Sequence, residues 1–272
     1  MRTAVRVARW ALWAWPLFSA AVAHAGCSRA IDAPMSPIGM SVSFDGERSA
    51  GIFPTLLREL GASIGCEFRM QRVPRARLQR MFESRQADLL LPASASPSRN
   101  ADGEFVPLIQ VRASLLTLSS GKALPHSLAA LVGQRGFKVA VVRGFSFGAA
   151  YDRALNTLRG QGRLVEEADT AGVARALRLG LAQGTVMTAN IFIGTLLREP
   201  DLAPLVPQVH SQALDELGWS ESGVYLSRHT LGEADRRVLR AAFTQAARSG
   251  RVWRLFLDSY PAGSLSDNVR PL

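Results

Sequence analysis

Ser146 stands in Gly144-Phe145-Ser146-Phe147-Gly148, the G-x-S-x-G spacing of a nucleophile elbow, in which a strained strand-to-helix turn exposes a serine hydroxyl for acyl transfer. Such a serine needs an imidazole base with a carboxylate behind it. His126, His210 and His229 occur in no recognisable motif, so the short pattern alone does not carry a hydrolase. The same glycine-bearing turn, opening a helix, offers backbone N–H groups and a helix dipole to an anion. The remaining candidate chemistry is written in arginine. Arg99 closes Ser94-Ala95-Ser96-Pro97-Ser98-Arg99, and Arg75 follows Pro74 with Arg77 close behind; a planar guanidinium presents paired donors that match a carboxylate. Each also has a plain reading, Arg99 as an exposed loop residue and Arg75 as a long side chain covering a helix surface. Glu47, Glu104 and Asp88 read as loop or strand-end carboxylates.

With 272 residues, 47% hydrophobic and 20% charged, the chain is long and apolar enough for one large or two small domains of about 100–200 residues. Two cysteines exclude a four-thiolate zinc site, and neither C-x-x-C nor H-E-x-x-H occurs. A Walker motif and a G-x-G-x-x-G fingerprint are also missing. No metal and no cofactor is expected. The formal charge of +10 invites a nucleic-acid partner, but its distribution argues otherwise. Lys122 and Lys138 are the only lysines, and the arginines are scattered among acids rather than gathered into a stripe that could track phosphates.

Residues 1–25 read as a secretory signal. Arg2, Arg6 and Arg9 form its charged region, Trp10 to Ala23 its apolar run, and Ala23-His24-Ala25 its small-residue cleavage site, leaving Gly26 as the mature N-terminus. The apolar run is interrupted by Pro16 and falls short of the roughly 20 residues a spanning helix needs. A lipid anchor on Cys27 is the alternative to soluble export. Export brings Cys27 and Cys66 into an oxidising compartment where they can pair; two buried free thiols are the other outcome.

The elements that must position these residues alternate. Arg29 to Pro34 is a short β-like run, Leu56, Leu57, Leu60 and Ile64 recur at helical spacing after Pro54, and Cys66 to Val73 is a second strand stopped by Pro74. Leu78, Met81 and Phe82 form the next helical stripe, and Asp88 to Pro92 is a compact apolar run of the buried-strand kind. After a linker with Ser119, Ser120, Gly121 and Pro125, the alternation restarts: strand Lys138 to Val142, helix at Tyr151, Leu155 and Leu158, helix at Val173, Leu177 and Leu181, strand Thr185 to Thr188. Thr230 with Glu233 has capping-box spacing before two final helices, which have no strand after them and must pack on an earlier lobe. Strand–helix alternation predicts an α/β chain whose sheets are mainly parallel and flanked by helices.

In this order and spacing, the loop fragments Asp45-Gly46 with Gly51-Ile52-Phe53, Ala87-Asp88, the Ser94 to Arg99 run, Phe105-Val106-Pro107 and Gly223 to Ser227 resemble the family 3 solute-binding proteins of amino-acid ABC importers. The resemblance spans roughly Arg29 to Tyr260. It implies a two-lobed type II periplasmic-binding fold: lobe one from 26–115 and 225–272, lobe two from 116–224, a solute in the cleft between them, and hinges near Arg112 to Leu118 and Gly223 to Ser227. It also implies that Arg99 grips a ligand carboxylate with help from Ser94, that Phe145 and Ser146 form a second ligand loop, and that Ser36, in the loop after the first strand, joins them. Two positions depart from the family. Asn190 stands where many amino-acid binders carry an aspartate for the α-ammonium group, and Arg75 where they commonly present an aromatic platform. With Arg75 facing the cleft, the ligand becomes anionic rather than cationic. The implied protein is a periplasmic monomer, not an enzyme, whose partners are a small anionic or zwitterionic solute and an inner-membrane ABC permease. A cyclohexadienyl-dehydratase-like enzyme on the same scaffold would need a positioned acid or base in the cleft; a ligand-sensing module is the third reading.

Overall fold

The computed structural model describes residues 26–118, 124–261, 265 and 267–272. The signal segment 1–25 and the linker positions Ser119 to Gly121 lie outside the described residues. The first pass of the chain builds β1 (Ile31–Asp32), a hairpin of β2 (Ser43–Asp45) and β3 (Arg48–Ala50), α1 (Ile52–Ile64), β4 (Phe68–Arg69), α2 (Arg75–Glu83), β5 (Leu89–Ser94), α3 (Pro97–Asp102) and β6 (Gly103–Val111). It then crosses into β7 (Ser114–Thr117), α4 (Leu128–Gly133), β8 (Val139–Val142), α5 (Ala149–Gly160), β9 (Leu164–Glu167), α6 (Thr170–Arg178), β10 (Gly184–Met187), α7 (Ala189–Arg198) and β11 (His210–Ala213). It returns through β12 (Ser220–Ser227), α8 (Glu233–Arg248), α9 (Arg251–Ser259) and β13 (Val269–Arg270).

Two separate sheets result. Lobe two has a five-stranded sheet in the order β11-β7-β10-β8-β9, in which β8 pairs parallel with β9 and β10 while β7 pairs antiparallel with both β10 and β11. Its central strands β7, β8 and β10 are buried on both faces. Val139 and Val141 join Leu115 and Tyr151 in one core, whereas Ala140 and Val142 join Leu116, Val173 and Phe192 in the other, as period-two alternation requires of a strand covered twice.

Lobe one corrects the expectation of a mainly parallel sheet. The parallel pairing there is β1 with β4, extended by the Met35–Arg72 bridge; the main sheet, β13-β6-β12-β5, is antiparallel throughout. The cause is the double crossing. The chain leaves the lobe along β6 and comes back along β12, and two adjacent connecting strands with opposite directions must pair antiparallel. Gly223 to Ser227, expected as a hinge, therefore lies inside the central strand β12, held by β5 on one side and β6 on the other. The crossings between the sheets fall at 112–113 and 214–219, so the boundary expected at 224 lies within β12.

The final helices pack on lobe one as expected. Leu239 and Phe243 of α8 and Val252 and Phe256 of α9 share a core with Ile31, Leu56 and Leu89, and the Phe53 and Phe256 rings meet edge to face at 6.1 Å. The capping box is not formed. α8 starts at Glu233 after Gly232, because the preceding turn is tied instead by the Ser227 hydroxyl, which accepts the His229 and Thr230 N–H groups. Cys27 and Cys66 form a disulfide with Cα atoms 4.9 Å apart, at the entrances of β1 and β4.

Candidate functional site

Between the lobes lies a cavity of about 60 Å³ at the C-terminal end of β5, where α/β sheets usually place ligands. Arg75 and Ser94 reach it from lobe one; Phe145, Ser146 and Thr188 reach it from lobe two. The lobes meet where a side chain would obstruct them. Gly144, at φ +88°, brings the β8–α5 loop against the N-terminus of α2, and a Cβ there would stand 3.3 Å from the Ala76 Cα. Gly39, at φ +51°, does the same against α7, with the Ile191 carbonyl oxygen 2.8 Å from where its Cβ would be. Glycine meets both demands at once, positive φ and close backbone approach.

Arg75 is the charged group of the wall. It opens α2 after Pro74, which delivers its side chain inward rather than over the helix surface. It is buried, its Nη1 donates to the Pro92 carbonyl at 2.9 Å, and its guanidinium carbon lies 6.0 Å from the Phe145 ring centroid. Its Nε has no hydrogen-bond partner, and among the described residues no carboxylate pairs with it. Burial, and then the charge of Arg99, press its pKa down to about 9, so it remains cationic at neutral pH. A buried cation with an unused donor is costly unless something else completes it.

Arg99 sits one layer behind. It is buried in α3, donates Nε to Gln79 Oε1 at 3.0 Å and Nη1 to the Ser94 carbonyl at 2.9 Å, and does not line the cavity. Burial lowers its pKa, while the charges of Tyr225, Asp152 and Glu83 oppose that shift. Arg99 thus braces Ser94 and adds positive potential behind Arg75. Ser36 is buried between Met35 and Pro37 without lining the cavity. Asn190 does not line the cavity either. Its N–H donates to Asn268 Oδ1 at 3.2 Å and its carbonyl accepts the Tyr260 hydroxyl at 3.2 Å. Thr188 and Ile191 line the wall in its place. α7 begins at Ala189, and at about 100° per residue a shift of two positions sends Asn190 toward the opposite side. Thr188 is 1% exposed, and its Oγ1 has no partner. Sequence reasoning missed it because a threonine ending a buried strand has no spacing signal of its own.

The nucleophile elbow is not built. Ser146 Oγ donates to Asp152 Oδ2 at 2.9 Å and accepts the Gly148 N–H at 3.3 Å, organising the first turn of α5. The imidazoles lie elsewhere, His126 beside Asp215 and His229 beside Asp102, with His210 exposed on the edge strand β11. A larger cavity of about 760 Å³ in lobe two, by Phe137, Leu177 and Gln208, contains none of the expected residues.

No family model matches the sequence, and no curated protein matches it. Solved structures do. An amino-acid ABC transporter substrate-binding protein, AbpA from Streptococcus pneumoniae bound to L-arginine, superposes with a TM-score of 0.68 at 16% identity, covering 85% of this chain and 94% of that one. The GluR0 ligand-binding core in complex with L-glutamate gives 0.67 at 16% identity, covering 86% and 99%. A histidine kinase sensor domain with similarity to periplasmic binding proteins gives 0.66 at 18% identity, covering 90% and 99%. The chain has the two-lobed type II periplasmic-binding fold. In this fold the cavity at the end of β5 is the cleft between the lobes, and Arg75 is its buried cation.

Proposed function

We propose that this chain is an exported solute-binding protein that takes a small carboxylate into the cleft, closes its lobes around it and presents it to an ABC-type permease. One observation carries the reading. Arg75 is buried in the cavity wall with an unused Nε donor and no acidic partner, an arrangement that an incoming carboxylate completes with charge-assisted hydrogen bonds. Only contacts made to both lobes favour the closed form, and the wall draws hydroxyls from both, Ser94 on one side and Ser146 and Thr188 on the other. The residues that line the cavity include no Asp, Glu, His or Cys, which removes the positioned acid or base that a dehydratase would need from the wall itself.

A sensing role is the second reading, favoured by the sensor-domain neighbour, which covers 90% of this chain. Uptake into vesicles carrying the candidate permease separates transport from sensing. Ligand capture is tested by thermal shift of the mature chain against a panel of carboxylates and amino acids. A ligand at about 100 times its Kd adds roughly 2.7 kcal/mol, or about 5–10 °C for a chain of this size. Arg75→Met should remove the ligand-induced shift; a shift of unchanged size in that variant would place the binding site elsewhere.

A further inference from the structure

Two residues of the cavity wall, from opposite lobes, carry a buried polar atom without a partner: Arg75, through Nε, at the start of α2, and Thr188, through Oγ1, just after β10. From this pairing we infer that the cleft selects short-chain carboxylates bearing a neutral oxo or hydroxyl oxygen at the α-carbon and rejects the corresponding α-amino acids, with Thr188 the lobe-two residue that makes the distinction. The inference rests on the solute-binding reading above.

An α-ammonium group brings a positive charge and three donors, and it needs acceptors, ideally an anionic one. The wall supplies hydroxyl acceptors but no anionic one: its charged residue is a cation, and Arg99 stands close enough for the two guanidinium charges to act on each other. Asp152, on the lobe-two side, does not line the cavity, and its Oδ2 accepts the Ser146 hydroxyl. A bound ammonium would be a third cation in a water-poor space, where like charges repel most strongly. A neutral oxygen reverses the balance. It accepts a hydrogen bond from Thr188 while the carboxylate completes Arg75, and both orphaned groups are satisfied across the cleft by one molecule. Volume limits the chain length. The cavity is small, about 60 Å³, which favours short-chain acids over long ones.

The test is isothermal titration calorimetry on the mature, disulfide-intact chain with matched pairs, pyruvate against L-alanine and α-ketobutyrate against L-α-aminobutyrate. The keto acid should bind at least about tenfold tighter in each pair, the factor that follows from leaving buried groups unpaired. Thr188→Val should weaken keto-acid binding and so narrow that preference several-fold, leaving the part due to the two arginine charges, and Thr188→Ser, which keeps the hydroxyl, should restore it; circular dichroism checks that both variants fold. Amino acids binding as tightly as their keto partners would overturn the selectivity while leaving carboxylate capture standing. A preference of undiminished size in Thr188→Val would overturn the role of Thr188. Binding of no carboxylate at all would overturn this inference together with the reading on which it rests.

Discussion

The two ends of β5 handle buried charge in opposite ways. At its N-terminal end Asp88 is buried and paired: Arg29 bridges both carboxylate oxygens at 2.6 and 2.7 Å, and the Asp32 N–H adds a third contact at 2.8 Å. Ser28 is anchored to Asp235 just beside it, and the Cys27–Cys66 disulfide closes the same corner. At the C-terminal end Arg75 is buried equally well but receives one carbonyl, no carboxylate and no partner for Nε. A buried ion completed within the chain holds the fold together, whereas one left incomplete destabilises it unless a molecule from outside supplies the missing half. The base of lobe one is completed within the chain, and the rim carries the charge that the proposed ligand would complete.

That contrast predicts large losses of stability at the base and none at the rim. Replacing both cysteines with serine should cost the most. The loop they close spans 39 positions, and the entropy removed from the unfolded chain corresponds to about 4 kcal/mol; urea denaturation of the oxidised wild type and the variant measures it. Next comes Arg29→Ala, expected to cost about 1.5–3 kcal/mol because it leaves the buried Asp88 carboxylate without its charged partner.

The same pair predicts how the base responds to acid. Burial works against the Asp88 charge, but the Arg29, Thr230 and Asp32 contacts outweigh it and hold the carboxyl below its ordinary pKa. The unfolded state therefore binds more protons near pH 4, so the stabilisation is complete above about pH 4 and is lost as the pH falls through the folded value. Denaturation midpoints of the wild type should drop across that window, and Asp88→Asn should lack this part of the drop. An unchanged acid profile in Asp88→Asn would mean that the base is not held by this charge.

How far these regions could be read from the sequence follows from the range of the interactions involved. The α/β alternation, α1 with its Leu56 and Leu57 stripe and the apolar β5 run were legible because local periodicity writes them. The antiparallel β6–β12 pair was not, since Val106 and Val224 meet across more than a hundred residues and no local pattern records a partner that distant. Arg75, Ser94, Phe145 and Ser146 converge on one cavity, and their loops were the ones the family resemblance singled out. Arg99 and Asn190 were chosen by the same resemblance, yet they depend on side-chain direction. Arg99 is turned to the Ser94 carbonyl and Gln79, and Asn190 lies off the wall with its backbone tied to Tyr260 and Asn268. A one- or two-residue rotation about a helix axis decides which side chain faces a cleft, and alignment by motif does not resolve it.

The smallest predicted effect has the opposite sign. Arg75→Met keeps the aliphatic stem in contact with its surroundings and removes a buried cation that nothing in the chain completes. Losing the hydrogen bond to the Pro92 carbonyl offsets part of the gain, so the ligand-free variant should be more stable than the wild type by about 1 kcal/mol. The ligand-free wild type and variant are compared by urea denaturation, then again with saturating carboxylate, where the order should reverse because the wild type alone gains from binding. A loss in the ligand-free variant as large as that of Arg29→Ala would erase the distinction between the two ends of β5 and make Arg75 a structural residue like its counterpart at the base.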